Sequence, residues 1–201
     1  KERKRPFMDK QDVIRFFDQA AATWDADMIC SMPVVDKILD GARLRRGMAV
    51  LDVACGTGVM FPFYLGRGVK SVTAIDISAN MAEIAAGKVE GKPIEVICGD
   101  AETYNFGRQF DCAVIYNAFP HFPDPARMIG SLAQWIRPGG TLTVAHGMSA
   151  EALRHHHAGP AFQVSLDLPE PEELAALFAP WFEVKLTISN GYMYQVTGVR
   201  R

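Results

Sequence analysis

The chain has 201 residues, 49% of them hydrophobic and 22% charged, with 21 Lys and Arg against 23 Asp and Glu for a formal net charge of -2. That length and apolar content suit one globular domain with a full core, and a second large one is not expected. The near-neutral charge offers no field for phosphate backbones or anionic membrane surfaces, so no nucleic-acid partner is expected, and no apolar run nears the ~20 residues of a membrane span.

The basic opening "KERKRP" has no apolar signal core behind it and reads as a solvated tail over residues 1–8. The first helix is predicted from Val13, Phe16, Phe17 and Ala20 at i, i+3, i+4 and i+7, with Trp24 one turn on; by period these are core residues. A second helix follows Pro33, with Val34, Val35, Ile38, Leu39 and Ala42 inward and "GARLRRG" closing it. "MAVLDVA" is a strand, "VMFPFYLGR" a helix interrupted early by Pro62, "VKSVTAID" a strand, and "SANMAEIAAGK" a helix with Ser78 as N-cap. "KPIEVICGD" and the continuous apolar run "FDCAVIYNA" are further strands, the latter of the kind found inside a parallel sheet. Asp124 caps the next helix ahead of Pro125, and "RPGGTLTVAH" reads as a turn and the fifth strand.

The remainder changes character: a loop-like segment over 147–170 holding "RHHHAGP", a helix from about Pro171, and two strands flanking "NG" as an antiparallel hairpin. The alternation of strands and helices is that of an α/β sheet. Four widely spaced cysteines, Cys30, Cys55, Cys98 and Cys112, three of them in apolar strand-like contexts, read as reduced core thiols of a cytoplasmic protein and not as a disulfide framework or zinc site.

"VLDVACGTGVM" places a glycine turn between a strand and a helix, where backbone N–H groups and the helix dipole face a ligand. A phosphate-binding P-loop is excluded, since no Gly-Lys-Ser/Thr follows. The dinucleotide fingerprint needs a third small residue for close helix packing, and Phe61 stands there. "LDVACGTG" resembles the first motif of the class I S-adenosylmethionine-dependent methyltransferases, with Ala54 where that family most often has its first glycine; an alanine is expected to keep φ negative there.

Other stretches extend the resemblance. Asp76 closes the second strand ~20 residues after the glycines, where a carboxylate can take ribose hydroxyls, a feature shared with NAD enzymes. Asp100-Ala101 looks like the family's adenine-binding step, and "YNAFPHFPDPARMIGSLAQWIRPGG" is similar to its fourth motif, following helix and turn. "FFDQAAATWD" is similar to the amino-terminal helix of the ubiquinone/menaquinone-type small-molecule enzymes, which covers the cofactor.

The resemblance implies a single domain over 1–201 with a Rossmann-like seven-stranded sheet, order 3-2-1-4-5-7-6, whose terminal strand is antiparallel. Residues 9–45 would supply lid helices and 147–170 the substrate-site loop. Its implied cofactor is S-adenosyl-L-methionine, held by Trp24, Asp52, Ala54, Cys55, Gly56, Gly58, Asp76, Ile77, Met81, Asp100, Ala101 and Asn117. Met81 is also a core residue by its helical stripe.

Of the five histidines, His146 at a strand end reads as structural. His121 follows the fourth strand, where a neutral imidazole could take a proton from an acceptor. His155, His156 and His157 cannot all face one ion from regular structure, so they are candidates for the substrate site first, with His155 and His157 as weak metal candidates and no resident metal expected. Asn117-Ala118-Phe119-Pro120 lacks the Asn/Asp-Pro-Pro-Tyr/Phe of nucleic-acid amine methyltransferases, which favours a small-molecule acceptor. The expected function is methyl transfer by in-line displacement. Hydroxyl, thiol and carbon-acid acceptors all fit, and a non-catalytic S-adenosylmethionine-binding protein or an NAD-dependent oxidoreductase are the alternatives.

Overall fold

Strand Ala49–Val53 (β1) is almost wholly buried because parallel neighbours flank it on both sides and helices cover both faces of the sheet. Around it the computed structural model, which describes residues 8–27, 30–157 and 163–201, builds one seven-stranded sheet. The other strands are Ser71–Asp76 (β2), Ile94–Cys98 (β3), Phe110–Tyr116 (β4), Ile136–His146 (β5), Phe182–Ser189 (β6) and Tyr194–Arg200 (β7). Their order is β3-β2-β1-β4-β5-β7-β6, with β7 antiparallel to both β5 and β6, as expected.

The helices are Lys10–Asp27 (α1), Met32–Gly41 (α2), Phe61–Gly66 (α3), Ala79–Ala86 (α4), Pro125–Ala133 (α5), Ala150–His157 (α6) and Pro171–Phe178 (α7). α5 and α7 pack Met128, Leu132, Leu174 and Phe178 on one sheet face; α2 and α3 pack Val35, Leu39, Phe61 and Tyr64 on the other. Each such side chain contributes about 1.5–3 kcal/mol by leaving water. The helix starts obey local chemistry: Ser78 accepts the Met81 N–H and Asp124 accepts the Arg127 N–H. No helix among the described residues is long and apolar enough to cross a membrane.

Several local expectations are corrected. The segment holding Arg154 to His157 is helical, within α6, although it reads as a loop. Arg137 to Gly140 lie inside β5 as an irregularity, between the pairings Phe110↔Ile136 and Cys112↔Thr141, and do not precede the strand as a turn. Asp111 explains this, since Arg137 Nε donates to its Oδ1 at 2.5 Å while its Oδ2 accepts the Ala49 N–H. The β6–β7 connection is a four-residue loop organised by Asn190, whose Oδ1 accepts the N–H groups of Tyr192 and Met193. Cys98 is exposed, whereas Cys55 and Cys112 are buried. Of the expected tail, residues 1–7 lie outside the described residues, and Met8 is buried against Val13 and Val164.

Candidate active site

In a parallel sheet the turns leaving the carboxyl ends of the strands share one edge. Here the turns after β1, β2, β3 and β4 bring Ala54 to Thr57, Ile77, Gly99 to Ala101 and Asn117 to Ala118 around one cavity. Helix α1 crosses its mouth and contributes Lys10, Val13, Phe17 and Trp24. The stripe that reads as core by period is therefore a cover: Phe17 and Trp24 stay only partly buried, their rings 5.5 Å apart.

The β1 turn is tightly wound. Ala54, Gly56 and Gly58 have φ of 54°, 54° and 90°, so Ala54 departs from the expected negative φ. The Cys55 N–H bonded to Ile75 O and the Gly58 N–H bonded to Cys55 O close the turn and impose that backbone on an alanine. A Cβ at Gly58 would fall inside the Phe61 ring. Phe61 thus takes the space that a small residue serves in a dinucleotide motif by lying on the glycine itself. A Cβ at Gly56 would meet only Trp24 Nε1, at 3.9 Å, so its backbone is bare toward the cavity.

Asp76 lines the cavity beside this turn. Its Oδ2 accepts the Gly56 N–H at 2.7 Å and its Oδ1 the Ser78 N–H at 2.9 Å. Burial raises its pKa, against the lowering effect of those N–H groups and with a further upward push from Asp18. Met81 is buried at the cavity wall.

Asp52 and Gly58 are the two expected cofactor residues that do not line the cavity; the other ten do. Asp52 is turned under the turn, where its Oδ1 accepts the Tyr64 O–H at 3.1 Å and its Oδ2 has no hydrogen-bond partner among the described residues. Desolvation pushes its pKa up to about 7, with Tyr64 opposing and the Asp76 charge adding.

Asp100 is already engaged. Lys10 Nζ donates to Asp100 Oδ2 at 2.7 Å and to Glu102 Oε2 at 2.8 Å, and the Glu102 N–H returns to Asp100 Oδ1. Burial works against the Lys10 ammonium, but the bonds and charges of the two carboxylates outweigh it and hold its pKa above the usual 10.5. Two more residues tie α1 down: Asp18 Oδ1 accepts Ser78 Oγ–H at 2.5 Å, and Asp25 accepts from Thr57 Oγ1 at 2.5 Å and Lys88 Nζ at 2.6 Å. One helix is thereby bonded to the turns after β1, β2 and β3. Sequence reasoning missed Lys10, although it continues the Val13, Phe17, Trp24 stripe one step back at helical spacing.

Past β4, Asn117 (φ 54°) accepts the Gly147 N–H through Oδ1, fixing this turn to the end of β5. His121 reaches the cavity, with Nδ1 2.7 Å from Val164 O and its ring edge-to-face with Phe17 at 4.8 Å. Tyr116 and Phe122 complete this end. His146 is fully buried beside Tyr194 and does not line the cavity. The side chains of His155, His156 and His157 lie outside the described residues. Among the described residues no three His, Cys, Asp or Glu are placed to hold a metal ion.

Residues 50–140 match a family model described as a methyltransferase domain. The stretch from β1 into β5 is thus similar to a methyltransferase domain. Among curated relatives, the ubiquinone biosynthesis O-methyltransferase of Coxiella burnetii is 30% identical over 67% of this chain and 61% of its own length. The malonyl-[acyl-carrier protein] O-methyltransferase of Priestia megaterium is 27% identical over 67% of this chain and 51% of its own. The chain thus spans between half and two-thirds of the length of these relatives. The magnesium protoporphyrin IX methyltransferase of Synechocystis, solved with bound S-adenosylhomocysteine, superposes with TM-score 0.74 at 17% identity, covering 96% of this chain and all of the other. The chain shares the fold of that structure, and in its own turn the Phe61-on-Gly58 packing differs from a dinucleotide motif.

Proposed function

We propose that this chain is an S-adenosylmethionine-dependent methyltransferase acting on a small-molecule acceptor. The observation that carries this reading is the convergence of Gly56, Asp76, Met81, Asp100 and Ala101 on one cavity covered by α1. The bare Gly56 backbone facing Trp24 leaves the room that the methionyl end of the cofactor requires. The buried Asp76 carboxylate suits ribose hydroxyls, and Asp100 with the Ala101 N–H suits adenine, against which Met81 would pack. Bound S-adenosylmethionine supplies an electrophilic methyl group carried on a sulfonium.

The chain's own residues do the rest. Phe17, Trp24, Tyr116 and Phe122 exclude water from the acceptor end, which strengthens every polar contact made there. The ties from α1 hold that cover over the cofactor turns and help align the acceptor. His121 stands at the acceptor end, where a proton would be released from a hydroxyl. A relative named for ubiquinone biosynthesis supports a small-molecule acceptor.

Calorimetric titration of S-adenosylmethionine and S-adenosylhomocysteine into the wild type and Asp76→Ala, with NADH as control, tests the reading. Both adenosyl ligands are expected to bind at micromolar concentration, and the variant to lose about 1–3 kcal/mol as charge-assisted hydrogen bonds disappear. Binding of NADH with neither adenosyl ligand would overturn it.

A further inference from the structure

We infer that Lys10 is a positioning residue for the base of the cofactor: anchored by the buried Glu102, its ammonium fixes the Asp100 carboxylate as the acceptor for the exocyclic amine of adenine; this rests on the methyltransferase reading.

Three bonds close a ring at the start of α1. Lys10 Nζ donates to Asp100 Oδ2 at 2.7 Å and to Glu102 Oε2 at 2.8 Å, and the Glu102 N–H donates to Asp100 Oδ1 at 3.0 Å. Both oxygens of Asp100 are therefore held, and since each carries two lone pairs, each retains an accepting position for a ligand. Lys10 and Asp100 line the cavity, with Ala101 beside them. Glu102 is buried outside that lining, so it acts on a ligand only through the ammonium.

Burial decides which partner moves. Were Lys10 to swing away to admit a ligand, Glu102 would keep Arg127 Nε at 3.4 Å as its cation among the described residues, and its Oε1 already lacks a hydrogen-bond partner among them. Stranding a carboxylate in that position costs more than sharing Asp100, which is only half-buried and can accept again. The ammonium thus stays, and an incoming amine joins the ring of bonds without replacing Lys10. An ionised carboxylate accepts and does not donate, which matches the N–H donors of the adenine amine. Lys10 is also the first residue of α1, and Trp24 of the same helix stands over Gly56, so one helix reaches the base end through Lys10 and the glycine turn through Trp24. Freedom that Asp100 has already given up is not lost again when the ligand arrives, and this preorganisation is what Lys10 contributes to affinity.

Calorimetric titration of S-adenosylhomocysteine, and of 5′-methylthioadenosine, which lacks the amino-acid end, into the full chain tests the role. Lys10→Met is expected to weaken both ligands by about 10-fold, the scale of one charge-assisted hydrogen bond. In the Asp100→Ala background the same Lys10→Met change should alter affinity by less than about 2-fold, because the residue through which it acts is gone; a general loss of stability would weaken binding alike in both backgrounds. Lys10→Met/Glu102→Gln strands no charge, should show the same loss, and replaces Lys10→Met in the cycle if that variant does not fold. Equal losses with and without Asp100, a loss confined to S-adenosylhomocysteine, or binding by Lys10→Met within about 2-fold of wild type overturns the role of Lys10 and leaves the cofactor reading standing. Binding of neither adenosyl ligand to the wild type overturns the cofactor reading itself, and the role of Lys10 with it.

Discussion

Replacing Lys10 by Met removes the ammonium that joins α1 to Asp100 and Glu102 while keeping the length and apolar stem of the side chain. Two bonds are lost, at 2.7 and 2.8 Å, but they are unequal. The Asp100 side chain is 25% exposed, so water screens and replaces much of that arm; the Glu102 side chain is 2% exposed, and after the change its one cationic partner among the described residues is Arg127 Nε at 3.4 Å, from an arginine that is 63% exposed. Charge-assisted hydrogen bonds are worth about 1.5–3 kcal/mol each, and a buried carboxylate left half-paired adds to the cost, so a loss of about 2–3 kcal/mol is expected. For a chain of this size that lowers Tm by roughly 5–10 °C.

Urea unfolding and thermal melts measure the loss, and Lys10→Met/Glu102→Gln should recover at least half of it by removing the stranded charge. The raised pKa of Lys10 sets the sign with pH: the contribution is present below the usual 10.5 and is lost only as pH rises through the higher folded-state value. A Lys10→Met protein within about 0.5 kcal/mol of wild type would refute the reasoning, because it would show that Glu102 does not depend on the ammonium.

Three further substitutions test the glycine turn and what lies under it. Asp52 keeps its proton to about 7 in the folded state against 3.8 unfolded, so the native state binds more protons between those values and stability falls as pH rises through that window. Asp52→Asn should flatten that fall and be more stable than wild type at about pH 8, by up to about 4 kcal/mol, in paired urea melts at about pH 5 and about pH 8; an unchanged slope would count against the buried carboxylate as its source. Ala54→Gly should stabilise the fold by about 0.5–1 kcal/mol after the glycine's own entropic cost, and so raise Tm, since it relieves an alanine held at φ 54°. A drop in Tm would show that the Ala54 methyl packs for more than its backbone strain. Gly58→Ala should cost about 2 kcal/mol or more, because its Cβ meets the Phe61 ring at φ 90°, and Phe61→Leu in the same chain should return part of that loss in the same melts.

The strands, most helices and the carboxyl-edge position of the glycine turn were legible in the sequence. They rest on periodicity and turn chemistry that act within a few residues: Ser78 and Asp124 cap as read, and the terminal hairpin dictates an antiparallel β7. The same local rules misjudged α6, the Arg137 to Gly140 stretch and the φ of Ala54, and the last two depend on partners elsewhere in the chain: the start of β1 bonded to Asp111 for β5, and the end of β2 bonded to Cys55 for the turn.

The role of α1 was likewise closed to sequence reading. Its apolar stripe has the spacing of any core helix, and only its placement across four strand ends turns that stripe into the wall of a cavity. Lys10 meets Asp100 across 90 positions and His121 meets Val164 across 43, pairings for which no local pattern exists. Sequence spacing therefore determined which residues could share an element or a turn. The tertiary structure decided which of them face each other, because the sheet gathers its turns at one edge and the helix laid over them selects their partners.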